Sequence, residues 1–441
     1  MNSKSAEPKG SLAYAWFVVG VLMLAYVFSF VDRQILSLLV GPIRKDLGIS
    51  DTEMSLLIGA SFAVFYTFCG IPLGRLADSR SRRGIITVGL LVWSLATAAC
   101  GLANRYWQLF LCRIGVGVGE AALSPAAYSL ITDYFPKESR ATAISVYSMG
   151  IYLGSGIAFL VGGLVINFAM KHGPVLLPLI GEIRPWQVVF LILGAAGILF
   201  SAALLSVREP ARGAGGTTPA PVGEVLAHLR RNWRTVLCHN FGFAMISFSS
   251  YGAAAWITSY FVRVRGWAAG DFGQVYGYII MVFGCSGIVF GGRLADWLAR
   301  KGHTDATMRV GLYAACASIP LGGIYILLPD ANWAVAALAP AVFCLSMPFG
   351  VAPAGIQEIM PPNMRGQASA LYLFIVNLIG LGLGPTAIAV VTDYVFHDDN
   401  AVGMSMLLVG AAAQLTAVVL LRAGLKPFRD SMSLMNTLKA A

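Results

Sequence analysis

Gly74-Arg75-Leu76-Ala77-Asp78 recurs residue for residue as Gly292-Arg293-Leu294-Ala295-Asp296, 218 residues further along. Each copy closes a long apolar run. Pro136 and Arg140 recur as Pro361 and Arg365 with an offset of 225, which also places Asp133 on Glu358. Five identical residues at matching places in two apolar runs indicate a duplicated unit.

Working outward, the chain divides into apolar stretches of the ~20 residues that a bilayer core requires of a helix. They cover 13–40, 54–77, 85–103, 106–132, 140–169 and 185–207, then 235–262, 271–297, 307–328, 331–357, 366–393 and 401–424. The expected fold is therefore an all-α membrane protein with twelve transmembrane helices in two pseudo-symmetric six-helix bundles. The first bundle spans 1–207, a cytoplasmic linker 208–234, the second bundle 235–424, and a cytoplasmic tail 425–441. The linker carries Gly213, Gly215, Gly216, Pro219 and Pro221, then Arg230, Arg231 and Arg234, with room for an amphipathic surface helix over 223–234. The first span contains Asp32 and Arg33 and lacks a small-residue cleavage site after it, so it is read as a helix of the mature chain.

Composition agrees. Of 441 residues 57% are hydrophobic and only 12% charged, about half the charge of an ordinary soluble domain. Mean hydropathy is +0.73. The net charge of +10 follows a topological bias. With both termini cytoplasmic, 22 of the 31 Lys and Arg lie inside. Seven lie outside, and Arg33 and Arg113 lie within helices. That distribution follows the positive-inside rule and calls for no nucleic-acid partner.

Cofactor and metal chemistry find no support. The seven cysteines sit in apolar runs without CxxC or Cys/His spacing, and the five histidines are scattered. No Walker phosphate loop occurs, and Gly115-Val116-Gly117-Val118-Gly119 has no strand before it. Two parallel six-helix repeats are a transporter architecture, with a substrate site between them near the midplane.

Gly74-Arg75-Leu76-Ala77-Asp78-Ser79-Arg80-Ser81-Arg82-Arg83 resembles the signature that follows helix 2 in the major facilitator superfamily, and the copy at Gly292 is a weaker version. Arg113-Ile114-Gly115-Val116-Gly117 resembles that family's helix 4 motif. Tyr26-Val27-Phe28-Ser29-Phe30-Val31-Asp32-Arg33-Gln34, with Gly119-Glu120-Ala121 and Ser124-Pro125, is similar to the spinster group of lipid transporters, bacterial members included. The resemblance implies a secondary active transporter of the cell membrane, proton-coupled, moving a lysophospholipid- or sphingoid-phosphate-like anion by alternating access. The Asp-Arg pair in helix 1 also occurs in hexuronate and other organic-anion symporters, which gives the alternative substrate class.

Asp32, Arg33, Arg113 and Glu120 sum to zero charge inside the membrane. A lone charge at a helix centre costs ~2.5–3.5 kcal/mol on insertion scales, so they must compensate one another. Asp32 lies roughly 8 Å from the middle of its span toward the outer face. Arg113, Gly117 and Glu120 share a face of span 4. Two readings stand: the charges are ion pairs that hold helices together, or Asp32 and Glu120 carry protons while Arg33 or Arg113 meets an anionic head. Gly117 permits close approach, and Phe62, Tyr66 and Ser124 complete the candidate binding set.

By the offset of 225, Arg113 and Glu120 map to Leu338 and Leu345, so the second half lacks these charges. Span 7 is rich in aromatics (Phe241, Phe243, Phe248, Tyr251, Trp256), which suits an acyl tail or plain packing. Gly74, Asp78, Arg82, Arg83, Asp133 and Arg365 form the expected gate. In it, Asp78 faces the N–H groups that open span 11, and Arg82 or Arg83 pairs with Asp133. A lipid-modifying enzyme would need a nucleophile and base in one cavity, for which Ser124 near Glu120 is the weak candidate; a receptor is the third class. A monomer whose partners are substrate, protons and membrane lipids is the expectation.

Overall fold

The computed structural model describes residues 12–135, 143–144, 146–172, 175–177, 181–210, 220–361 and 363–440. The first eleven residues and Pro136 to Arg140, which carry part of the topology argument, lie outside them.

Helices dominate. In chain order they are α1 (Leu12–Leu38), α2 (Val40–Leu47), α3 (Asp51–Ile58), α4 (Ala60–Ser79), α5 (Arg82–Cys100), α6 (Tyr106–Glu120), α7 (Leu123–Tyr134), α8 (Gly150–His172) and α9 (Pro185–Ser201). Then come α10 (Val222–Arg231), α11 (Trp233–Arg263), α12 (Ala269–Ile279), α13 (Cys285–Arg300), α14 (Ala306–Leu327), α15 (Ala331–Ser346), α16 (Pro348–Glu358), α17 (Arg365–Val376), α18 (Gly384–Val390) and α19 (Val402–Ala440). A two-stranded antiparallel hairpin, Val175–Leu177 with Gly181–Ile183, is an addition to the all-α expectation. Among the described residues, eleven helices or broken helices are long and apolar enough to cross a membrane. The remaining expected span, 235–262, is α11: 31 residues long, and more polar because it carries His239, Asn240, Thr258 and several serines.

The breaks have chemical causes. Pro42 and Pro125 each lack an N–H and crowd the carbonyl four residues back. The first span accordingly breaks at Leu39, and the fourth breaks at Ala121–Ala122, directly after Glu120. Gly48, at φ +65°, reverses the chain after α2, where a side chain would be strained. Ser50 then caps α3 in a reciprocal box with Glu53, which satisfies two otherwise unpaired N–H groups. π-turns at Ile280–Gly284 and Asn377–Leu383 interrupt spans 8 and 11.

The chain forms two compact units. One holds the residues up to Leu47 together with Val64–Gly215, and the other holds Gly48–Ala63 with Gly216–Ala441. Residues 48–63, expected in the first bundle, therefore pack with the second. Asp51 accepts two bonds from Arg263, at 2.6 and 2.8 Å. Thr52 donates its N–H and hydroxyl to one oxygen of Asp393, at 2.7 and 2.6 Å. Asp51, Asp393 and Asp399 lie close enough to suggest a cation site, but Arg263 already supplies the compensating charge.

Within the first unit, α8 lies against α1 at Gly154, where an added Cβ would stand 2.9 Å from the Val27 Cα. In the second unit the core includes Phe243, Met308, Leu421 and Phe428. Phe428 belongs to the stretch expected as a tail; α19 instead runs on through it, and Arg429 donates to Asp305 at 2.6 Å.

The duplication persists in three dimensions. Arg82 pairs with Asp133 in the first unit; 225 residues on, Thr307 donates to Glu358 at 3.4 Å in the second. Gly89 abuts Ala122, and their counterparts Ala314 and Met347 share a core cluster.

The Asp51 side chain is fully buried and Arg263 only 14% exposed, so removing one partner strands a buried charge. Arg263→Ala is expected to cost roughly 3 kcal/mol, read as a fall in the unfolding midpoint in detergent. The double variant Asp51→Asn/Arg263→Ala is expected to recover part of that loss.

Candidate functional site

Ser29 and Arg33 are one turn apart on α1, and Asp32 points about 100° away. On α6, Arg113 and Glu120 are two turns apart. These spacings set two ion pairs side by side. Arg33 Nε donates to Glu120 Oε2 at 2.7 Å, and Ser29 Oγ donates to the same oxygen at 2.6 Å. Arg113 Nη1 donates to Asp32 Oδ1 at 3.4 Å, while Thr97 of α5 donates to Asp32 Oδ2. Glu120 Oε1 has no hydrogen-bond partner among the described residues.

Burial distinguishes the four charges. Asp32, Arg113 and Glu120 are buried, and the Arg33 side chain keeps the most surface, 11% against 6% for Asp32. Its guanidinium lies over Tyr66 at 4.6 Å and over Phe30 at 4.9 Å, an arrangement in which ring quadrupoles favour the cation. Tyr26 stacks on Tyr147, centroids 4.7 Å apart, and Tyr128 meets Tyr147 edge-on at 5.4 Å. Ser124 contacts the Tyr147 hydroxyl at 3.5 Å. That contact is phenolic, so the serine has no basic partner there of the kind a hydrolase would use.

The expected residues thus fall into groups. Asp32, Arg33, Arg113 and Glu120 come together, with Gly117 buried between the last two on α6. Tyr66 joins them through Arg33. Phe62, one turn earlier, is fully buried in the second unit. Sequence reasoning overlooked Ser29, Thr97, Tyr128 and Tyr147 as neighbours of the charges. Ser29 was nevertheless legible as the residue one turn before Arg33. Among the span 7 aromatics, Phe243 and Trp256 are core, the latter donating to the Pro385 carbonyl at 2.9 Å; Phe241 is exposed.

The gate residues divide similarly. Arg82 is buried and takes Asp133, Glu209 at 2.8 Å, and both oxygens of Ser129. Arg83 donates its backbone N–H to Glu209 at 2.9 Å and its side chain to the Val207 carbonyl at 3.3 Å. Ser81 caps α5 and also donates to Glu209 at 2.9 Å. Glu209, overlooked because it follows span 6 in the linker, is the hub of this cluster. A Cβ added at Gly74 would stand 3.8 Å from the Pro125 Cβ, in ordinary contact. Asp78 ends α4, and its side chain lies outside the described ones. Arg365 opens α17 and donates to the Met360 carbonyl at 3.4 Å.

Partial burial disfavours the charged form of Glu209, but hydrogen bonds from Arg82, Arg83 and Ser81 outweigh it and hold the carboxyl below its ordinary value of 4.5. A depressed folded value contributes stability that is fully present above the ordinary value and lost as pH falls through the folded one. Glu209→Gln is therefore expected to lower the unfolding midpoint at pH 7 and to flatten its fall below about pH 4.5, measured by thermal scans across pH.

Residues 22–385 match the Major Facilitator Superfamily. An MFS-type efflux pump of Mycolicibacterium smegmatis is 28% identical over 410 residues, covering 92% of this chain and 91% of its own. The hexuronate transporter of Bacillus subtilis is 27% identical over 410 residues, 92% of this chain and 93% of its own. The crystal structure of a bacterial homologue of the human lysosomal transporter spinster superposes with a TM-score of 0.77 at 27% identity, over 96% of this chain and 98% of that one. With the family match covering most of its length, the chain belongs to the Major Facilitator Superfamily and is a multi-pass membrane transporter related to spinster.

Proposed function

We propose that this transporter is a proton-coupled secondary carrier of an amphiphilic anion of the lysophospholipid or sphingoid-phosphate type, working by alternating access. The observation that carries the reading is the state of Arg33: of the four charges it keeps the most surface, and its carboxylate partner Glu120 has one oxygen without a hydrogen-bond partner among the described residues. An anionic head that takes Arg33 displaces Glu120. The four side chains are already neutral together, so an added anion leaves an uncompensated charge in low dielectric unless a proton arrives with it. Glu120 is the group that takes that proton, and Asp32, paired with Arg113, is the second carboxylate of the coupling unit. Coupling then follows from charge balance.

The aromatic surroundings of Arg33 (Phe30 and Tyr66) suit an acyl tail, and the second half carries Leu338 and Leu345 at the counterparts of Arg113 and Glu120. The two six-helix bundles alternate, joined through 208–234, in a monomer of the cell membrane with cytoplasmic termini. Arg82, Asp133 and Glu209 are its gate in the first bundle, and Arg365 is the counterpart in the second. Symport of a small organic anion such as a hexuronate is the second reading, favoured by the near full-length match to the Bacillus subtilis hexuronate transporter.

Proteoliposomes with an imposed pH gradient separate these readings. Radiolabelled lysophospholipid is expected to accumulate intact, and Glu120→Gln and Asp32→Asn are each expected to cut gradient-driven uptake at least about tenfold, equivalent to ~1.4 kcal/mol. Wild-type pH dependence in both variants ends the coupling scheme. Full competition by a tail-less hexuronate replaces the amphiphile with the organic anion.

A further inference from the structure

We propose that a cavity inside the second unit holds a small cluster of ordered water molecules, bridged by Gln414 and Ser318. The cavity has a volume of about 40 Å³ and is lined by Ser249, Ser318, Gly322, Leu345, Met406 and Gln414 among others. Gln414 is 2% exposed and Ser318 6%. Both amide atoms of Gln414 and the Ser318 hydroxyl have no hydrogen-bond partner among the described residues. A buried amide left unpaired is costly, and most such groups in folded proteins meet protein or ordered water.

The duplication explains why the space exists. By the offset of 225, Ser318 stands where the first unit has Trp93, Gly322 where it has Thr97, and Leu345 where it has Glu120. In the first unit these positions are filled: Trp93 and Thr97 are buried, Thr97 donates to Asp32, and Glu120 receives Arg33. In the second unit a large indole has become a hydroxymethyl group. A Cβ added at Gly322 would meet nothing within 4 Å. The repeat kept its backbone and lost its filling.

The guest follows from the walls. The lining residues include no Asp, Glu, Lys, Arg or His, so a bare ion would lose its hydration without a compensating charge. One water occupies roughly 10–15 Å³ on this measure, so the space takes about three. The glutamine amide offers two donors and an acceptor oxygen, and serine adds a hydroxyl of either sense. Water fits this volume and this pattern of donors and acceptors. The inference is independent of the transported substrate.

Synchrotron hydroxyl-radical footprinting of the full chain in nanodiscs, with rapid mixing into 18O-water, tests it directly. Met406 lines the cavity and is only 4% exposed. It is expected to be oxidised, and to carry 16O from resident water at the earliest times after mixing. Gln414→Leu gives an independent sign. In a hydrated cavity it removes hydrogen bonds and lowers the unfolding midpoint, with Ser318→Ala doing the same to a smaller extent. In a dry cavity it removes an unpaired amide and raises the midpoint. An unoxidised Met406 with a stabilised Gln414→Leu overturns the proposal. So does a midpoint that rises with sodium at constant ionic strength and loses that response in Gln414→Leu, because the guest is then an ion.

Discussion

Four ionised side chains inside a bilayer-spanning bundle would each be expensive to keep, and the first unit is arranged around cancelling them. Asp32 meets Arg113 and Arg33 meets Glu120, so every charge has an opposite partner and the set is neutral. That demand fixes much else. Thr97 must come near enough to donate to Asp32, which draws α5 toward α1. Gly154 lets α8 close on the far side of α1. Pro125 breaks span 4 immediately after Glu120, so the carboxylate sits beside a helix end rather than within a continuous turn.

The second unit answers the same backbone plan with different chemistry. Where the first has the buried pair of Arg82 and Asp133, the second has the weaker contact of Thr307 with Glu358. Where the first packs the buried Trp93, the second keeps a small cavity. A duplicated scaffold preserves helix positions because ridges and small residues set them. Side chains pointing inward are free to diverge so long as each polar atom finds a partner. The division of labour between the halves lies in those inward positions, and the backbone hardly records it.

Hydropathy and the repeated Gly-Arg-Leu-Ala-Asp segment made the architecture legible, because both report on what a bilayer demands of a helix. Bringing Asp32, Arg33, Arg113 and Glu120 together was legible for the same reason. Which acid meets which base was not, since two adjacent residues on one helix and two on another allow either pairing until the rotation of each helix is known. Glu209 was missed because it lies past the end of a span, where composition reads as linker; the basic run Arg82-Arg83 behind a Ser81 cap was the signal that an acid was needed. Asp51 read as loop because its partner Arg263 is more than 200 residues away. The helical extension through Phe428 was hidden by the charges Lys426, Arg429 and Asp430, which resemble a solvated tail until Asp305 is seen to receive Arg429.

The adjacency of Asp32 and Arg33 also restricts how the first span can move. Turning α1 by about 100° about its own axis would carry one of the two side chains into the other's place, setting Arg33 against Arg113 in one sense or Asp32 against Glu120 in the other. Either turn replaces one attraction with a repulsion between buried like charges and leaves the other pair broken. Tilting α1, or sliding it slightly along its axis, disturbs the pairs far less. The charge pattern therefore acts as a keyway: it leaves bending and translation open to this helix and closes rotation, so any rearrangement of the first unit must carry α1 and α6 as a geared pair.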